Sequence, residues 1–486
     1  MRYRTLQSLG VFLFLVLSIT ISTQAWAQEQ LGRGHRWVRS HPYTIMGLTR
    51  VVPKPFDIEQ YRDAGFTSLL PWEPGTYDVL LPQAAAAGLP WHMHLEHWGE
   101  EYANRPDTNE QTLRKGLQQL DSEENRGRLH KSLANSGCIG IMVNDEAVKS
   151  YYLRYTRHLL QWLRQQHPDA IVYSNMHPAG HDNHLAYGTV ERYFDEFAAM
   201  VEPDVLMTDI YPLGDPKAEA LAHTLGHPVG LASSNYSDGN YPYFHLIAAV
   251  RATALNHGMP YWNFLQSFES SGNWIRRLPS ESDLRVQMWA PMTYGFTGVI
   301  YFTYDVAFER GLIEKSGAPN SLYHAAAKAN PEVANVGAAM RFLTSTDVRY
   351  VPGHHHDGNT TVANRLPQGT EAWAPGASGD DRIVSVSIEQ VGHGRDGLIG
   401  FFQDDAGARY FMITNLWHGA KASAADRTSA IAIKFAPEVQ KLYRLDRISG
   451  KTEPVVLENG TLHLNLPGGT GDLFKYTDEP FPGTQN

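Results

Sequence analysis

Residues 138–175 read CIGIMVNDEAVKSYYLRYTRHLLQWLRQQHPDAIVYSN, and this stretch contains a complete strand–helix–strand unit. The apolar runs CIGIMV and AIVYSN are typical of buried strands, and the apolar residues between them recur at helical spacing. The first strand ends in three polar residues, Asn144, Asp145 and Glu146. Burying a carboxylate costs several kcal/mol unless it is paired or neutralised, so two acids at this position indicate a function.

The same alternation of strands and helices extends over about 300 residues, as expected for a (β/α)8 TIM barrel. A doubly wound open sheet is the alternative, but no Gly-rich phosphate loop follows the first strand, which favours the barrel. The eight strand candidates are YTIMGL at Tyr43, FTSLLPW at Phe66, LPWHMHLEHW at Leu89, CIGIMV at Cys138, AIVYSN at Ala170, DVLMTDIYP at Asp204, PYWNFLQSFE at Pro260 and TGVIYFTYD at Thr297.

A second domain follows the barrel. The helical segment SLYHAAAKANPEVANVGAAMRFLTS is expected to close the barrel, and beyond Asp347 short alternating strands with turn residues predict an all-β sandwich. The expected organisation is therefore a signal peptide over 1–27, a catalytic barrel over 28–345 and a C-terminal β-sandwich over 346–486. The Gly-rich stretch from 352 to 381, which contains three adjacent histidines, is expected to be a flexible, solvated loop rather than a metal site.

The N-terminus has the pattern of a cleaved signal peptide. Arg2 and Arg4 precede the apolar run LGVFLFLVLSITIS, and AWA at 25–27 offers small residues for cleavage before Gln28. We therefore expect an exported protein, periplasmic or secreted, without a membrane anchor after cleavage. The single cysteine, Cys138, allows no intramolecular disulfide, so a large core must hold the fold. The net charge of −10 is spread without long runs, which argues against nucleic acid as a partner.

The predicted strand ends carry acids, amides and aromatic residues, and a barrel of this kind has its active site there. No cofactor motif accompanies them, so we expect a carbohydrate substrate and no cofactor. The candidate residues, in chain order, are Trp72, Glu73, His94, Glu96, Trp98, Asn144, Asp145, Glu146, Asn175, Asp209, Tyr211, Gln266, Glu269, Trp274 and Tyr304.

Two carboxyl groups suffice to cleave a glycosidic bond. One protonates the leaving oxygen, and the other attacks the sugar or activates water. A separation of about 5–5.5 Å gives retention of configuration, whereas about 6.5–9.5 Å leaves room for water and gives inversion. Amides orient ring hydroxyls, and the rings of Trp72, Trp98 and Trp274 stand where they could stack on a sugar.

At this point the chain resembles the large retaining clan of barrel glycoside hydrolases, including family 42 β-galactosidase-type enzymes. The resemblance lies in NDE at 144–146, in the stretch RRLPSESDLRVQMWAPMTYGFTGVIYFTYD and in the ending LHLNLPGGTGDLFKY. It implies Glu146 as the acid/base and Glu269 as the nucleophile. Because side chains alternate along a strand, Gln266 and Glu269 fall on opposite faces unless a bulge intervenes. Asp209 is then the alternative second carboxylate, and the enzyme would invert.

Two other classes of function stay open. His92 and His94 alternate on one face of the third strand, and a His-x-His pair on a barrel strand is typical of metal-dependent hydrolases. In that fold, however, the pair belongs to the first strand, so a metal-free site with His94 on a sugar hydroxyl is favoured. A polysaccharide-binding protein would be expected if one acid were missing, but Glu146 is present.

Overall fold

Eight parallel strands form a closed barrel in which each strand pairs with the next and the last strand pairs with the first. The computed structural model describes residues 31–50, 56–72, 76–95, 137–177, 188–214, 243–272, 275–390 and 393–484, together with positions 111, 115, 116 and 118. The barrel strands are β1 Thr44–Thr49, β2 Ser68–Pro71, β3 Trp91–Leu95, β4 Cys138–Asp145, β5 Ile171–Met176, β6 Leu206–Ile210, β7 Tyr261–Gln266 and β8 Gly298–Phe302.

Helices connect the barrel strands, and several of them begin at a side-chain cap. The side chains of Asp57 and Thr189 accept hydrogen bonds from backbone N–H groups in the first turns of the helices that follow them, and Ser280 forms a capping box with Asp283 in the next such helix. Among the described helices, none combines the length and the apolar character that a membrane crossing requires. The described helices are α1 Arg33–Ser40, α2 Ile58–Asp63, α3 Tyr77–Ala86, α4 Ser150–Gln166, α5 Val190–Val201, α6 Tyr243–His257, α7 Glu281–Thr293 and α8 Ser321–Met340.

Helix α1, which the sequence pattern did not predict, closes the amino-terminal end of the barrel. The ring of Trp37 contacts those of His92 and Trp262, each at a centroid distance of 5.8 Å. Its indole Nε1 donates to the carbonyl of Ile139 at the start of β4. Because His92 also reaches Tyr173 on the non-adjacent strand β5, these side chains point into the barrel and fill its lower layer.

The C-terminal domain is built from two antiparallel sheets and a short hairpin. The six-stranded sheet has the order β18-β17-β20-β15-β14-β9, the four-stranded sheet has the order β13-β12-β16-β19, and β10 pairs with β11. The strands are β9 Thr344–Val351, β10 His354–Asp357, β11 Thr360–Ala363, β12 Ile383–Gln390, β13 His393–Gly394, β14 Gly397–Gln403, β15 Arg409–Asn415, β16 Ser429–Phe435, β17 Leu442–Leu445, β18 Thr452–Val455, β19 Thr461–Leu466 and β20 Gly471–Lys475.

The six-stranded sheet is buried on both faces because it lies between the barrel and the second sheet. In β14, Leu398 belongs to the core shared with the barrel, whereas its neighbour Ile399 belongs to the core of the sandwich. Met412 and Ile413 in β15 divide in the same way. Successive side chains of a strand point to opposite faces, so one strand serves two cores and reads as a continuous apolar run.

The predicted fold class is confirmed: all eight predicted barrel strands are present in order, and antiparallel sheets follow them. The prediction of a flexible loop over 352–381 was wrong in part, since β10 and β11 form a hairpin there and the turn between them uses Gly358 at a φ of 59°. The predicted signal peptide lies outside the described residues.

Candidate active site

Three neighbouring strand ends bring two carboxyl groups onto one amide. The Nδ2 atom of Asn175 on β5 donates to Oδ1 of Asp145 on β4 and to Oδ1 of Asp209 on β6, each at 3.0 Å. Because both oxygens lie at this distance from the same nitrogen, they are at most about 6 Å apart. Every separation within this limit is shorter than the about 6.5–9.5 Å of inverting glycosidases, and the limit includes the about 5–5.5 Å of retaining ones.

A bulge in β4 turns Asp145 toward this amide. Met142 pairs with Tyr173 and Asp145 pairs with Asn175, so three steps along β4 face two steps along β5. Asn144, with a φ of 44°, and Glu146, with a φ of 50°, both adopt the left-handed conformation that non-glycine residues rarely use. Such backbone strain persists only where the surroundings fix it, and it is concentrated at functional sites.

Hydrogen bonds on both sides hold the bulge in place. The side-chain amide of Asn144 donates to Thr156 Oγ1 on α4 at 3.1 Å, and the hydroxyl of Ser174 donates to the Asn144 carbonyl. The backbone N–H of Glu146 donates to the Asn175 carbonyl at 3.1 Å. Asn144 therefore points away from the lumen, and its contacts favour a positioning role over the predicted contact with substrate.

Asp209 is buried, and its surroundings raise its pKa toward neutral pH. Its side chain lies on the inward face of β6, and the residue is only 6 % exposed. The pKa of Asp209 is raised to about 7 because burial and, next, the nearby charge of Asp145 outweigh the hydrogen bonds from Asn175 and Tyr211, which lower it. Two such neighbouring carboxyl groups resist ionising together, so the pair retains one proton at a pH where isolated aspartates have none.

Glu146 lies beside this pair at the rim of the site. Its carboxylate is 4.0 Å from Nε2 of His177, which follows β5, and the two side chains are 38 % and 23 % exposed. The backbone N–H of His177 donates to the hydroxyl of Tyr193, and that hydroxyl donates to the carbonyl of Ala147. The acid that the sequence favoured is thus more exposed than Asp209.

Aromatic rings extend from Asp209 across the barrel mouth. Tyr211, which hydrogen-bonds Asp209, stacks on Phe302 at the end of β8 with a centroid distance of 5.2 Å and an interplanar angle of 29°. Phe302 in turn contacts Trp72 at 5.1 Å, and both rings are half-buried. The guanidinium of Arg50 lies 5.1 Å from the centroid of the Trp72 ring. These rings offer a partly exposed apolar surface next to the carboxyl pair.

Gln266 ends β7, and all of its amide hydrogen-bonding groups are used by neighbouring backbone. Its Oε1 accepts from the N–H of Leu213 at 2.9 Å, and its Nε2 donates to the carbonyls of Leu213 and Arg277 at 3.1 and 2.8 Å. The side chain is fully buried. These contacts favour a role in holding the loops after β6 and β7, and the predicted contact with substrate stays untested.

Glu269 lies three residues beyond the end of β7 and is bound to the β8 loop. Its backbone N–H donates to the carbonyl of Arg310, and its carboxylate lies 3.6 Å from the Arg310 guanidinium. Arg310 also pairs with Glu314. In the described structure Glu269 therefore makes its contacts with this loop, and its predicted role as nucleophile stays a prediction.

Other predicted residues have different surroundings. The Nδ1 atom of His94 lies within hydrogen-bond distance of the Trp72 carbonyl, whereas His92 is fully buried in the lower layer and burial lowers its pKa to about 3. Tyr304 packs in an aromatic cluster against Tyr61. Within the described residues, no group of three or more His, Cys, Asp or Glu side chains could hold a metal ion.

Four of the predicted residues lie outside the described part of the chain: Glu73, Glu96, Trp98 and Trp274.

Phe302 was not among the residues that the sequence analysis assigned to the site, although its position at the end of a strand indicates that it belongs there. Phe302 ends β8 and is two residues from Ile300, so both point to the same side of the strand. Phe264 on β7 pairs in register with Ile300, and its ring also contacts that of Phe302. An aromatic residue with this parity at a strand end was therefore a candidate for the barrel mouth.

No protein-family model matches the chain, and no curated protein sequence matches it. Among solved structures, a β-galactosidase from the psychrophilic Marinomonas ef1 is 10 % identical with a TM-score of 0.43, over 62 % of this chain and 62 % of that chain. An endo-β-1,4-mannanase from Thermotoga petrophila is 11 % identical with a TM-score of 0.39, over 78 % of this chain and 96 % of that chain.

The xylanase TsXylA from Thermoanaerobacterium saccharolyticum is 10 % identical with a TM-score of 0.37, over 58 % of this chain and 95 % of that chain. Since these identities and TM-scores are low, we infer the function from the side chains of the site themselves.

Proposed function

We propose that this protein is a glycoside hydrolase that uses Asp145 and Asp209 as its two carboxyl groups. The observation that carries the proposal is the shared hydrogen bonding of both groups to the Asn175 amide on three adjacent strand ends. Glycosidic cleavage requires one protonated and one ionised carboxyl group on either side of the scissile bond. A pair that retains one proton near neutral pH supplies both forms at once.

The different surroundings of the two acids assign their roles. Asp209 is buried, with its pKa raised to about 7, and is the general acid that protonates the leaving oxygen. Asp145 is half-buried, is ionised, and attacks the anomeric carbon to form a glycosyl ester. Asp209, now a carboxylate, then takes a proton from water, and that water releases the sugar from Asp145. The short distance between the two oxygens favours this retaining course.

The surrounding groups suit a carbohydrate substrate. Phe302 and Trp72 present half-buried rings that can stack on the C–H face of a sugar. The Oδ1 atom of Asn175 is buried and has no hydrogen-bond partner among the described residues, so a sugar hydroxyl can donate to it. The Nε2 atom of His94 is likewise buried without such a partner.

Glu146 is the second candidate for the acid, because the sequence resemblance assigns that role to it. Its 38 % exposed side chain at the rim can reach a leaving group that projects from the barrel. In that arrangement Asp145 and Asp209 would bind the sugar instead of reacting with it. The likeness to family 42 enzymes stays part of this proposal, as does the export indicated by the N-terminal pattern at 1–27.

The test is sugar release from a panel of aryl glycosides and polysaccharides by wild type and matched isosteric variants. Asp209→Asn and Asp145→Asn are each expected to lower kcat by about 10²–10⁴-fold, whereas Glu146→Gln retains most of the activity. Asp381→Asn, at an exposed position of the C-terminal domain, is the control and should behave as wild type. Loss of activity in Glu146→Gln with retention in Asp145→Asn would reverse the assignment.

Two further measurements separate the mechanisms. A retaining nucleophile leaves a cavity in Asp145→Gly that azide can fill, so added azide should restore cleavage and yield a glycosyl azide. A chelator should have no effect on the two-carboxyl reaction. Loss of activity with chelator would instead support the metal-dependent alternative that the pair His92 and His94 suggested.

A further inference from the structure

The outer face of α7 is covered by the C-terminal domain rather than by water. Every residue from Ser282 to Thr293 is buried, and β14, β15 and β20 pack against the helix. Thr293 Oγ1 lies 2.7 Å from Thr414 Oγ1 on β15. A surface helix of a barrel normally carries a polar outer stripe, so α7 is shared by the two domains.

One buried carboxylate at the start of α7 collects donors from both domains. Asp283 is fully buried and accepts from His418 Nδ1 at 2.6 Å, from both terminal nitrogens of Arg277 and from the backbone N–H of Ser280. Burial alone would raise the pKa of Asp283, but the hydrogen bonds from His418 and Arg277 outweigh it and hold the pKa well below its usual range. His418 is supplied by the segment that follows β15, so this contact joins the domains.

The residues after His418 are docked on the same helix end. Ser280 Oγ donates to the carbonyl of Gly419 at 2.8 Å, and the N–H of Gly419 donates to Ser282 Oγ at 3.2 Å. The N–H of Ser282 donates to the carbonyl of Ala422 at 3.2 Å. The otherwise unsatisfied N–H of Ser282 in the first turn of α7 is thus used to hold the C-terminal domain.

From α7 a second set of hydrogen bonds leads to the loop after β6. Gln287 on α7 accepts from the N–H of Gln266 at 2.9 Å and donates to its carbonyl at 3.2 Å. The Gln266 side chain binds the carbonyl of Arg277 and both backbone groups of Leu213. Leu213 is two residues beyond Tyr211, whose hydroxyl donates to Asp209.

We propose that His418 is a positioning residue that holds Tyr211 beside Asp209. His418 holds Asp283 and, through it, the loop that contains Arg277. The carbonyl of Arg277 in turn fixes the side-chain amide of Gln266, which binds the loop after β6. The C-terminal domain is therefore a structural part of the active site and not only a support for the barrel. The consequence for catalysis rests on the function proposed above, whereas the effect on the loop after β6 does not.

Hydrogen–deuterium exchange of the full-length protein tests the proposal without any substrate. In His418→Ala we expect the peptide over 206–214 to exchange about tenfold faster than in wild type. The reason is that the loss of one buried hydrogen bond to a charged group lowers the free energy of local opening by a corresponding amount. In His418→Asn the amide Nδ2 takes the place of the ring Nδ1, so exchange should return toward the wild-type rate. His418→Gln carries its donor farther from Asp283 and should resemble the alanine variant.

Two controls make the result specific. His463→Ala, at an exposed position on β19, should leave the exchange of 206–214 unchanged, and the β5 peptide over 171–176 should stay protected in every variant. The proposal is overturned if 280–283 and 418–422 exchange faster in His418→Ala while 206–214 keeps its wild-type rate. It is also overturned if the asparagine and glutamine variants behave alike, because the donor position would then not matter.

Activity gives a second readout on any substrate that the enzyme cleaves. The hydrogen bond from Tyr211 lowers the pKa of Asp209, so its loss raises that pKa and moves the alkaline limb of the pH profile to higher pH. We expect this shift in His418→Ala and its reversal in His418→Asn. A fall in activity at every pH, with an unmoved limb in His418→Ala, would contradict positioning through Tyr211.

Discussion

Replacing Asp209 with asparagine should slow cleavage by the factor given above and yet stabilise the fold. The pKa of Asp209 is raised from its ordinary value of 3.8 to about 7, mainly by burial. Between these two values the unfolded chain has released the proton while the native protein retains it, so the free energy of unfolding falls as pH rises. The total loss is roughly 4 kcal/mol, because each pH unit of difference in pKa is worth about 1.36 kcal/mol. Asparagine cannot ionise and still accepts the hydrogen bond from Asn175.

The assay is urea unfolding of wild type and Asp209→Asn at several values of pH between 5 and 8. The stability difference in favour of the variant should grow by roughly 3 kcal/mol over this range and level off above pH 7. Asp381→Asn, at an exposed position, should show no such trend. If Asp209→Asn and wild type follow parallel curves from pH 5 to pH 8, Asp209 is ionised throughout and cannot be the general acid.

Three further changes have expected outcomes. Asn175→Ala removes a hydrogen bond that lowers the pKa of Asp209, so the alkaline limb of kcat/KM should move to higher pH, and an unmoved limb would contradict the shared amide. Glu332→Ala leaves Arg285 buried without the carboxylate that it now binds at 2.7 and 2.9 Å, and urea unfolding should show a loss of about 3–5 kcal/mol. Trp37→Ala opens a cavity at the closed end of the barrel and should cost about 3–5 kcal/mol in the same assay, without a change in the pH profile.

The fold could be predicted because the barrel strands are buried on both faces. All five residues of a strand such as Leu206–Ile210 are buried, and the one acid within it, Asp209, stands next to its end. Runs of this kind, separated by helices, leave few alternatives to a barrel. The hairpin of β10 and β11 was missed because its residues are polar and largely exposed, so no apolar pattern marks them.

Contacts between distant residues limited what the sequence could reveal about the site. Gln266 stands at a strand end, as a substrate contact would, but its amide binds Leu213, which lies 53 positions away. Tyr304 also follows a strand end, and it joins the cluster formed by Tyr61 because β8 pairs with β1. Neither partner can be identified from spacing alone, since the pairing of β6 with β7 and of β8 with β1 brings them together.

A shift of one residue in the register of β4 decides whether Asp145 or Glu146 points into the barrel, and with it the mechanism that can be proposed. A Cβ added at Gly140 would contact His92, which points inward, so Gly140 faces the lumen. Met142 lies two residues farther along β4 and faces the same way. Strict alternation of side chains would therefore point Glu146 into the barrel as well. The extra residue between Met142 and Asp145 reverses that parity, and Asp145 points inward instead. The hydrogen bonds that fix Asn144 and Glu146 in the left-handed conformation come from β5 and α4, so the bulge forms only when these elements pack against β4. The identity of the second carboxyl group in the proposed mechanism is therefore a property of the assembled barrel, and it follows from the same packing that brings Asn175 between the two acids.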